Sequence, residues 1–291
     1  MFKRVFFALL VFLFISQLSY ADLTTYEMVG VVNGKNHNDI VKSVKSALSK
    51  DFKVVATTNA AGNKDYTILI LQDDDFYAAL DNTKRYSFFA APLKVGIEKN
   101  KVMFLNPVYT AAAFAKGKRK VAKAAKIAKK KLEESLSKVA GITLKKKDFG
   151  YETDEEEIGD WQMMGKSIYL THKIGSKQFK SIDNAVAAVN KALSKKTNGW
   201  SKAYELKLKN AVVIGVTNPK FEKEAFEIGG SDHLCAFPIE VVVMDKGSVG
   251  AFVLPEMYRM SLYFMDAGMA AFSAHMSMPG AIDASLDSLL K

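Results

Sequence analysis

Val41-Lys42-Ser43-Val44-Lys45-Ser46-Ala47-Leu48-Ser49-Lys50 recurs as Val186-Ala187-Ala188-Val189-Asn190-Lys191-Ala192-Leu193-Ser194-Lys195, identical at six of ten positions. In both stretches the apolar residues recur at helical spacing, the stripe of an amphipathic helix. Three weaker matches flank this one in the same order. Upstream, Tyr26-Glu27-Met28-Val29-Gly30 resembles Trp161-Gln162-Met163-Met164-Gly165. Downstream, Phe89-Ala90-Ala91-Pro92-Leu93-Lys94-Val95 resembles Cys235-Ala236-Phe237-Pro238-Ile239-Glu240-Val241, and Val102-Met103-Phe104-Leu105-Asn106-Pro107 resembles Gly250-Ala251-Phe252-Val253-Leu254-Pro255. Four matches in one order, at offsets of 135 to 148, read as two copies of one unit, with insertions in the second near 171–181 and 196–200.

The unit reads outward from that helix. In the first copy, strands are expected at 26–32, 52–58, 66–71, 87–98 and 101–105. Asn36 or Asn38 caps a helix at 39–49, residues 73–75 cap a short helix at 76–80, and Pro107 opens another. In the second copy, strands are expected at 161–171, 203–208, 211–217, 234–244 and 250–254. Helices are expected at 181–195 and at 220–227, after Asn218-Pro219, and Pro255 opens the last helical region. The expected fold class is α+β: two tandem two-layer α/β units, each β-α-β-β-α-β-β-α with a largely antiparallel sheet. The expected boundaries are a signal at 1–21, a first unit at 22–115, a basic helix and acidic connector at 116–160, and a second unit at 161–291.

Thr67-Ile68-Leu69-Ile70, then Asp74-Asp75-Phe76-Tyr77-Ala78-Ala79-Leu80 and residues 88–95, resemble the core of the domain of unknown function 302 family. Ala211-Val212-Val213-Ile214-Gly215-Val216-Thr217-Asn218-Pro219-Lys220-Phe221, followed by Cys235-Ala236-Phe237-Pro238-Ile239-Glu240-Val241, is closer still. Members of that family tend to carry Cys-Asn-Pro at a strand end. Thr217 stands in the place of that Cys, and Asp74-Asp75 in the place of Asn-Pro, so thiol chemistry of relatives does not carry over. The resemblance covers about 80 residues of each copy. It implies a compact unit that often dimerises, and no settled activity. For this chain it implies either a homodimer or an internal pseudo-dimer of the two copies.

Residues 1–21 have the form of a secretory signal: Lys3 and Arg4, an apolar run from 5 to 15, and small residues Ser19 and Ala21 before the cleavage point. The expected location is periplasmic or secreted. The composition, 49% hydrophobic and 25% charged over 291 residues, excludes a disordered or multi-span membrane chain. One Cys excludes an internal disulfide framework, a Cys-based zinc site and haem attachment through paired cysteines.

The formal charge is +10 and unevenly placed. Residues 116–147 hold thirteen Lys or Arg against Glu133 and Glu134, a net +11, and Lys3 and Arg4 add two more, so everything else is net −3. Val121, Ala125, Ala128, Leu132 and Leu136 give the basic segment an apolar stripe. Lys118, Arg119, Lys120, Lys123, Lys126 and Lys130 then form a candidate docking surface for an anionic membrane or an acidic protein. The bland alternative is a solvated helix between units that rests its thin apolar stripe on a domain. Nucleic acid is disfavoured by export and by the lack of interleaved aromatics. Acidic residues at 148–160 follow at once and offer local neutralisation.

Met257, Met260, Met265, Met269, Met276 and Met278 are six of the twelve methionines. With His275 they suggest a copper or haem-type site centred on His275, Met276 and Met278, against plain core packing. His233 and Cys235, two apart on an expected strand, would face the same way as metal ligands or as a thiol with its base. Asn218 reads as a helix cap or a ligand-binding residue. No nucleophile elbow, P-loop, dinucleotide fingerprint or HExxH motif occurs. The leading expectation is an exported, non-catalytic binding or interaction protein. Its ligand, a small molecule or a protein that the sequence does not identify, would lie between sheet and helices or between the copies.

Overall fold

In the computed structural model, which describes residues 23–81, 83, 85–154, 157–158, 162–163, 166–167 and 171–291, the first unit opens with β1 (Leu23–Val32) and α1 (His37–Leu48). Then come β2 (Lys53–Asn59), β3 (Tyr66–Gln72), α2 (Asp74–Asp81), β4 (Leu93–Glu98), β5 (Lys101–Leu105), α3 (Pro107–Phe114), α4 (Arg119–Ser137) and β6 (Ile142–Thr153). A small ladder pairs β7 (Gln162–Met163) with β8 (Lys166–Ser167). The second unit runs β9 (His172–Lys173), α5 (Ile182–Ser194), β10 (Ser201–Lys207), β11 (Ala211–Thr217), α6 (Pro219–Gly229), β12 (Ile239–Asp245), β13 (Val249–Val253), α7 (Glu256–Phe264), α8 (Met269–Ala274) and α9 (Met278–Asp287). The fold is α+β, and each unit contains the order β-α-β-β-α-β-β-α. The expected signal at 1–21, Glu155, Glu156, Asp160 and most of the expected strand at 161–171 lie outside the described residues.

Local chemistry starts each helix where the sequence places a cap. The Asn36 side chain accepts from the Asp39 amide (3.1 Å), and Ser181 accepts from the Asn184 amide (3.2 Å), so α1 and α5 begin alike. Asn106 and Asn218 accept from the Val108 and Lys220 amides (3.0 and 3.2 Å), each ahead of a proline whose missing N–H costs nothing at a helix start. Ile40, Val44 and Leu48 of α1, like Ala185, Val189 and Leu193 of α5, are then buried on one stripe.

The first sheet has the order β2-β3-β4-β5-β1-β6 and the second β10-β11-β12-β13-β9. All these pairings are antiparallel, and the five corresponding strands lie in the same order. A bulge falls between Val54 and Ala56 in the first sheet and between Lys202 and Tyr204 in the second, the same step of the same hairpin. Opposite those steps Ala56 meets Ile70, whereas Tyr204 meets Gly215. A Cβ on Gly215 would stand 2.0 Å from the Tyr204 ring, so the large residue sits on opposite strands in the two sheets and glycine makes room for Tyr204.

β4 and β12 are buried almost throughout, the burial of strands covered on both faces; α5 packs on β12, and the opposite unit reaches both strands. The contacts across the units are reciprocal. The 3-10 turn Ser231–Ala236 of the second unit packs on β4, and Arg85–Ala90 of the first packs on β12. The Ala61 amide, between β2 and β3, donates to Glu222 of α6 (2.5 Å), while the Lys209 amide, between β10 and β11, donates to Asp81 of α2 (2.7 Å). Gly96 marks a close approach: a Cβ there would lie 2.7 Å from Cys235 Sγ and 3.1 Å from Leu234 Cγ. Gly96→Ala is therefore expected to cost about 1–3 kcal/mol by overpacking. Denaturant midpoints check this. Adding Cys235→Ala should recover part of the loss, and a wild-type midpoint for Gly96→Ala alone would reject the contact.

Several expectations are corrected. The strands expected at 87–98 and 234–244 begin only at Leu93 and Ile239, each directly after a proline. Pro92 and Pro238 offer no N–H to a ladder, so the chain before them coils into a 3-10 turn. His233 and Cys235 consequently do not share a strand face. Within 161–171 the described residues form the β7–β8 ladder, and His172–Lys173 takes the position beside β13 that β1 takes beside β5. The basic segment does not stand apart from the first unit. Val121, Ala125, Ala128, Leu132 and Leu136 are fully buried, α4 packs on α1, α2 and α3, and β6 pairs with β1 as a sixth strand. Small Ala side chains let α4 approach that helix layer closely. Lys145, Lys146 and Lys147 disguise β6 as charged linker, although lysines are what an exposed edge strand commonly carries.

Candidate functional site

A helix turns 100° per residue, so the buried stripe of α4 fixes where its other side chains point. Arg119, Lys123, Lys126 and Lys130 fall diametrically opposite Val121, Ala125, Ala128 and Leu132, and all four are exposed. Lys118 and Lys120 are exposed at the same end. The lysines that flank the buried stripe are engaged instead: Lys129 with Glu27, and Lys131 with Asp73 (2.8 Å) and Asp75 (3.5 Å). These carboxylates come from the first unit, not from the acidic block at 148–160. Lys130 makes an exposed pair with Glu134 at 3.7 Å. Among the described residues, Lys118, Arg119, Lys120, Lys123 and Lys126 have no ion pair. Ile127, 44% exposed, stands beside them.

The start of α4 is electrostatically unfavourable in isolation. No acid lies in its first turn and Lys118 gives no side-chain cap, so cations crowd the positive end of the helix dipole. An anion held outside this face would relieve that crowding.

His233 and Cys235 both reach the boundary between the units, where the imidazole is held by carboxylates and the thiol is buried. His233 Nδ1 bonds Asp232 Oδ1 (2.9 Å), and Nε2 bonds both Asp266 oxygens (3.0 Å each). The ring stacks on Phe264 at 5.3 Å and meets Tyr26 edge-on at 5.2 Å. Burial alone would lower its pKa, but the two carboxylates outweigh burial and raise it to about 9. At neutral pH the ring is an imidazolium donating from both nitrogens, so it is neither a metal ligand nor a base. Burial pushes the Cys235 thiol up to about 12 although Lys94 opposes it, so this thiol is no nucleophile. Asn218 caps α6 with its oxygen and donates its amide to Asn198 O (3.0 Å).

Met278 is buried, Met276 is 61% exposed, and His275 lies 3.6 Å from Glu224 and 3.9 Å from Glu227. Among the described residues no cluster of three or more His, Cys, Asp or Glu is placed to hold a metal.

The expectation of a ligand between the copies meets a filled interface at β4 and β12. Lys94 and Glu240, at matched positions of the two Pro-containing segments, meet there at 2.6 Å with both side chains almost wholly buried. Lys94 also donates to Pro238 O (2.9 Å), and Tyr204 OH donates to Glu240 Oε1 (2.9 Å). Nearby, Arg259 makes two 2.7 Å bonds to Glu256, a third to Ala236 O (2.8 Å), and lies over the Phe237 ring at 4.8 Å. Glu222 bridges the units: Oε2 accepts from the Ala61 amide, while Oε1 accepts from Thr217 Oγ1 and the Asn218 amide. Burial raises its pKa even against those bonds. Sequence reasoning passed over this network. Its one signal was a charged residue, Lys94 or Glu240, inside an otherwise apolar strand. Compared with known proteins, the chain matches no family model and no curated protein sequence.

Proposed function

We propose that this chain is an exported, non-catalytic docking protein, built from two diverged copies of one unit, that binds polyanionic surfaces through the outward face of α4. The observation that carries the reading is the row Arg119, Lys123, Lys126 and Lys130, opposite the buried stripe, with Lys118 and Lys120 beside it. Among the described residues Lys118, Arg119, Lys120 and Lys123 make no ion pair, and a structural helix has no need of unpaired cations at its positive end. Two supports stand behind the rest. The buried titratable groups His233, Lys94, Glu240 and Glu222 make contacts across the units, Arg259 is held by Glu256 within the second, and Cys235 is packed at the boundary, which suits a scaffold more than a catalyst. The matched strand order, matched bulge and reciprocal contacts favour duplication, in keeping with the resemblance to the domain of unknown function 302. No helix among the described residues is long and apolar enough to cross a membrane.

Binding to soluble polyglutamate, followed by fluorescence anisotropy, tests the docking face. Lys123→Glu/Lys126→Glu is expected to weaken binding at least tenfold, and rising salt should weaken the wild type steadily, as screening requires. Affinity that ignores both the substitutions and the salt would reject the reading.

A further inference from the structure

Resting on that docking reading, we propose that the polyanion is an anionic phospholipid bilayer, on which α4 lies flat with Ile127 entering the headgroup boundary. The cations Arg119, Lys123, Lys126 and Lys130 span twelve residues of one helix face, a row of about 17 Å at the helical rise. Among the described residues α4 packs on α1, α2 and α3 through its opposite face, and these four side chains are exposed.

The residue types choose between a bilayer and an acidic protein. Four of the five unpaired cations, Lys118, Lys120, Lys123 and Lys126, are lysines, which act as point charges on flexible stems. Such groups suit headgroups that diffuse and rearrange. A protein partner is more often held by arginine forks and aromatic anchors around a closed core of contacts. This face has one arginine, no aromatic residue, and only an open, shallow surface around Arg119, Ala122, Lys123, Lys126, Ile127 and Lys130. Ile127 is one of three large hydrophobic residues exposed among the described residues, the others being Leu144 and Met276. Its position at the margin of the cation row would bring it to the interface once the lysines settle on phosphates.

This arrangement differs from an ordinary in-plane amphipathic helix, which inserts its apolar stripe. Here that stripe is committed to the first unit. Attachment is therefore mainly electrostatic, reversible and salt-sensitive, and it is orienting, because the remainder of the chain outside the signal and residues 116–147 is net −3.

Co-sedimentation of the processed chain with vesicles tests the proposal. Phosphatidylcholine vesicles containing about one third phosphatidylglycerol should bind the protein at about 0.1 M salt, and phosphatidylcholine alone should not. Each cation near such a surface is worth about fivefold in affinity, so Lys123→Glu/Lys126→Glu should weaken binding more than tenfold. Both positions are exposed, and an unchanged denaturation midpoint confirms that the variant is folded. Ile127→Trp should show a blue-shifted emission on the anionic vesicles, with quenching by brominated lipid beyond that of the wild type. Polyglutamate binding without vesicle binding would overturn the bilayer and leave the docking face standing. Loss of both would overturn the docking reading as well. Vesicle binding with no shift at position 127 would overturn the insertion of Ile127.

Discussion

Lys94→Met is expected to destabilise the fold by about 3–5 kcal/mol, because it strands the Glu240 carboxylate between the two units. In the wild type Glu240 has two partners, Lys94 Nζ and Tyr204 OH, and is almost fully buried. Removing the ammonium leaves a charge in a low dielectric with one neutral donor. The pair itself is not a large net gain. Burial lowers the Lys94 pKa even with Glu240 alongside, so desolvation costs more than the attraction returns. The double variant Lys94→Met/Glu240→Gln should accordingly recover most of the loss, since Gln still accepts from Tyr204 and no buried charge remains. Denaturant midpoints with an unchanged slope would measure both effects, and a double-mutant cycle isolates the coupling. A Lys94→Met protein within about 1 kcal/mol of wild type, or a double variant worse than the single, would show that the pair does not hold the units as described.

The second large effect is a loss of stability in alkali. The folded pKa of His233 is about 9, against about 6.5 in an unfolded chain. The group therefore contributes fully below about pH 6.5, and its contribution disappears as pH rises through about 9. A shift of this size corresponds to about 3 kcal/mol, reduced to about 2–3 because Asp232 and Asp266 are partly open to solvent. The clasp joins three parts of the chain. His233 bonds Asp266 of the C-terminal region and packs on Tyr26 of β1, while the adjacent Ser231 donates to Glu98 of β4 (2.6 Å). Lys101, paired with Glu98 at 2.9 Å, lies close enough to Asp232 to feel its charge. Asp283, which burial raises to about 6, titrates below this window. The hydroxyls of Tyr26 and Tyr263, held protonated by burial, add their own loss only toward the ordinary tyrosine range near pH 10. Unfolding free energy should thus fall between about pH 7 and 9.5, and Asp266→Asn should flatten that slope. The same slope in wild type and variant would remove His233 as its source.

The helix starts and hairpins were legible in the sequence because they are decided within a few residues. Asn36, Ser181, Asn106-Pro107 and Asn218-Pro219 each satisfy a helix terminus with an atom no more than three residues away. The apolar face of α4 was legible for the same reason, since Val121, Ala125, Ala128, Leu132 and Leu136 show the helical period on their own. What that stripe packs on was not, and neither was β6, whose lysines suit a solvated linker and an edge strand equally well. The candidate residues divide in the same way. Arg119, Lys123, Lys126 and Lys130 could be placed on one face by periodicity. The roles of His233 and Cys235 could not, because they depend on Asp266, Lys94 and Gly96 arriving from distant parts of the chain.

By itself, then, the sequence determined most of the helices and hairpins within each unit, the caps and the direction in which α4 shows its charge, all consequences of short-range periodicity and backbone hydrogen bonding. The tertiary structure decided the rest. Pro92 and Pro238 turn the chain before β4 and β12, and the units close face to face. Lys94 meets Glu240 from 146 residues away along the chain. Burial there sets their worth and the protonation of His233, because desolvation and the nearest charges depend on which surfaces meet.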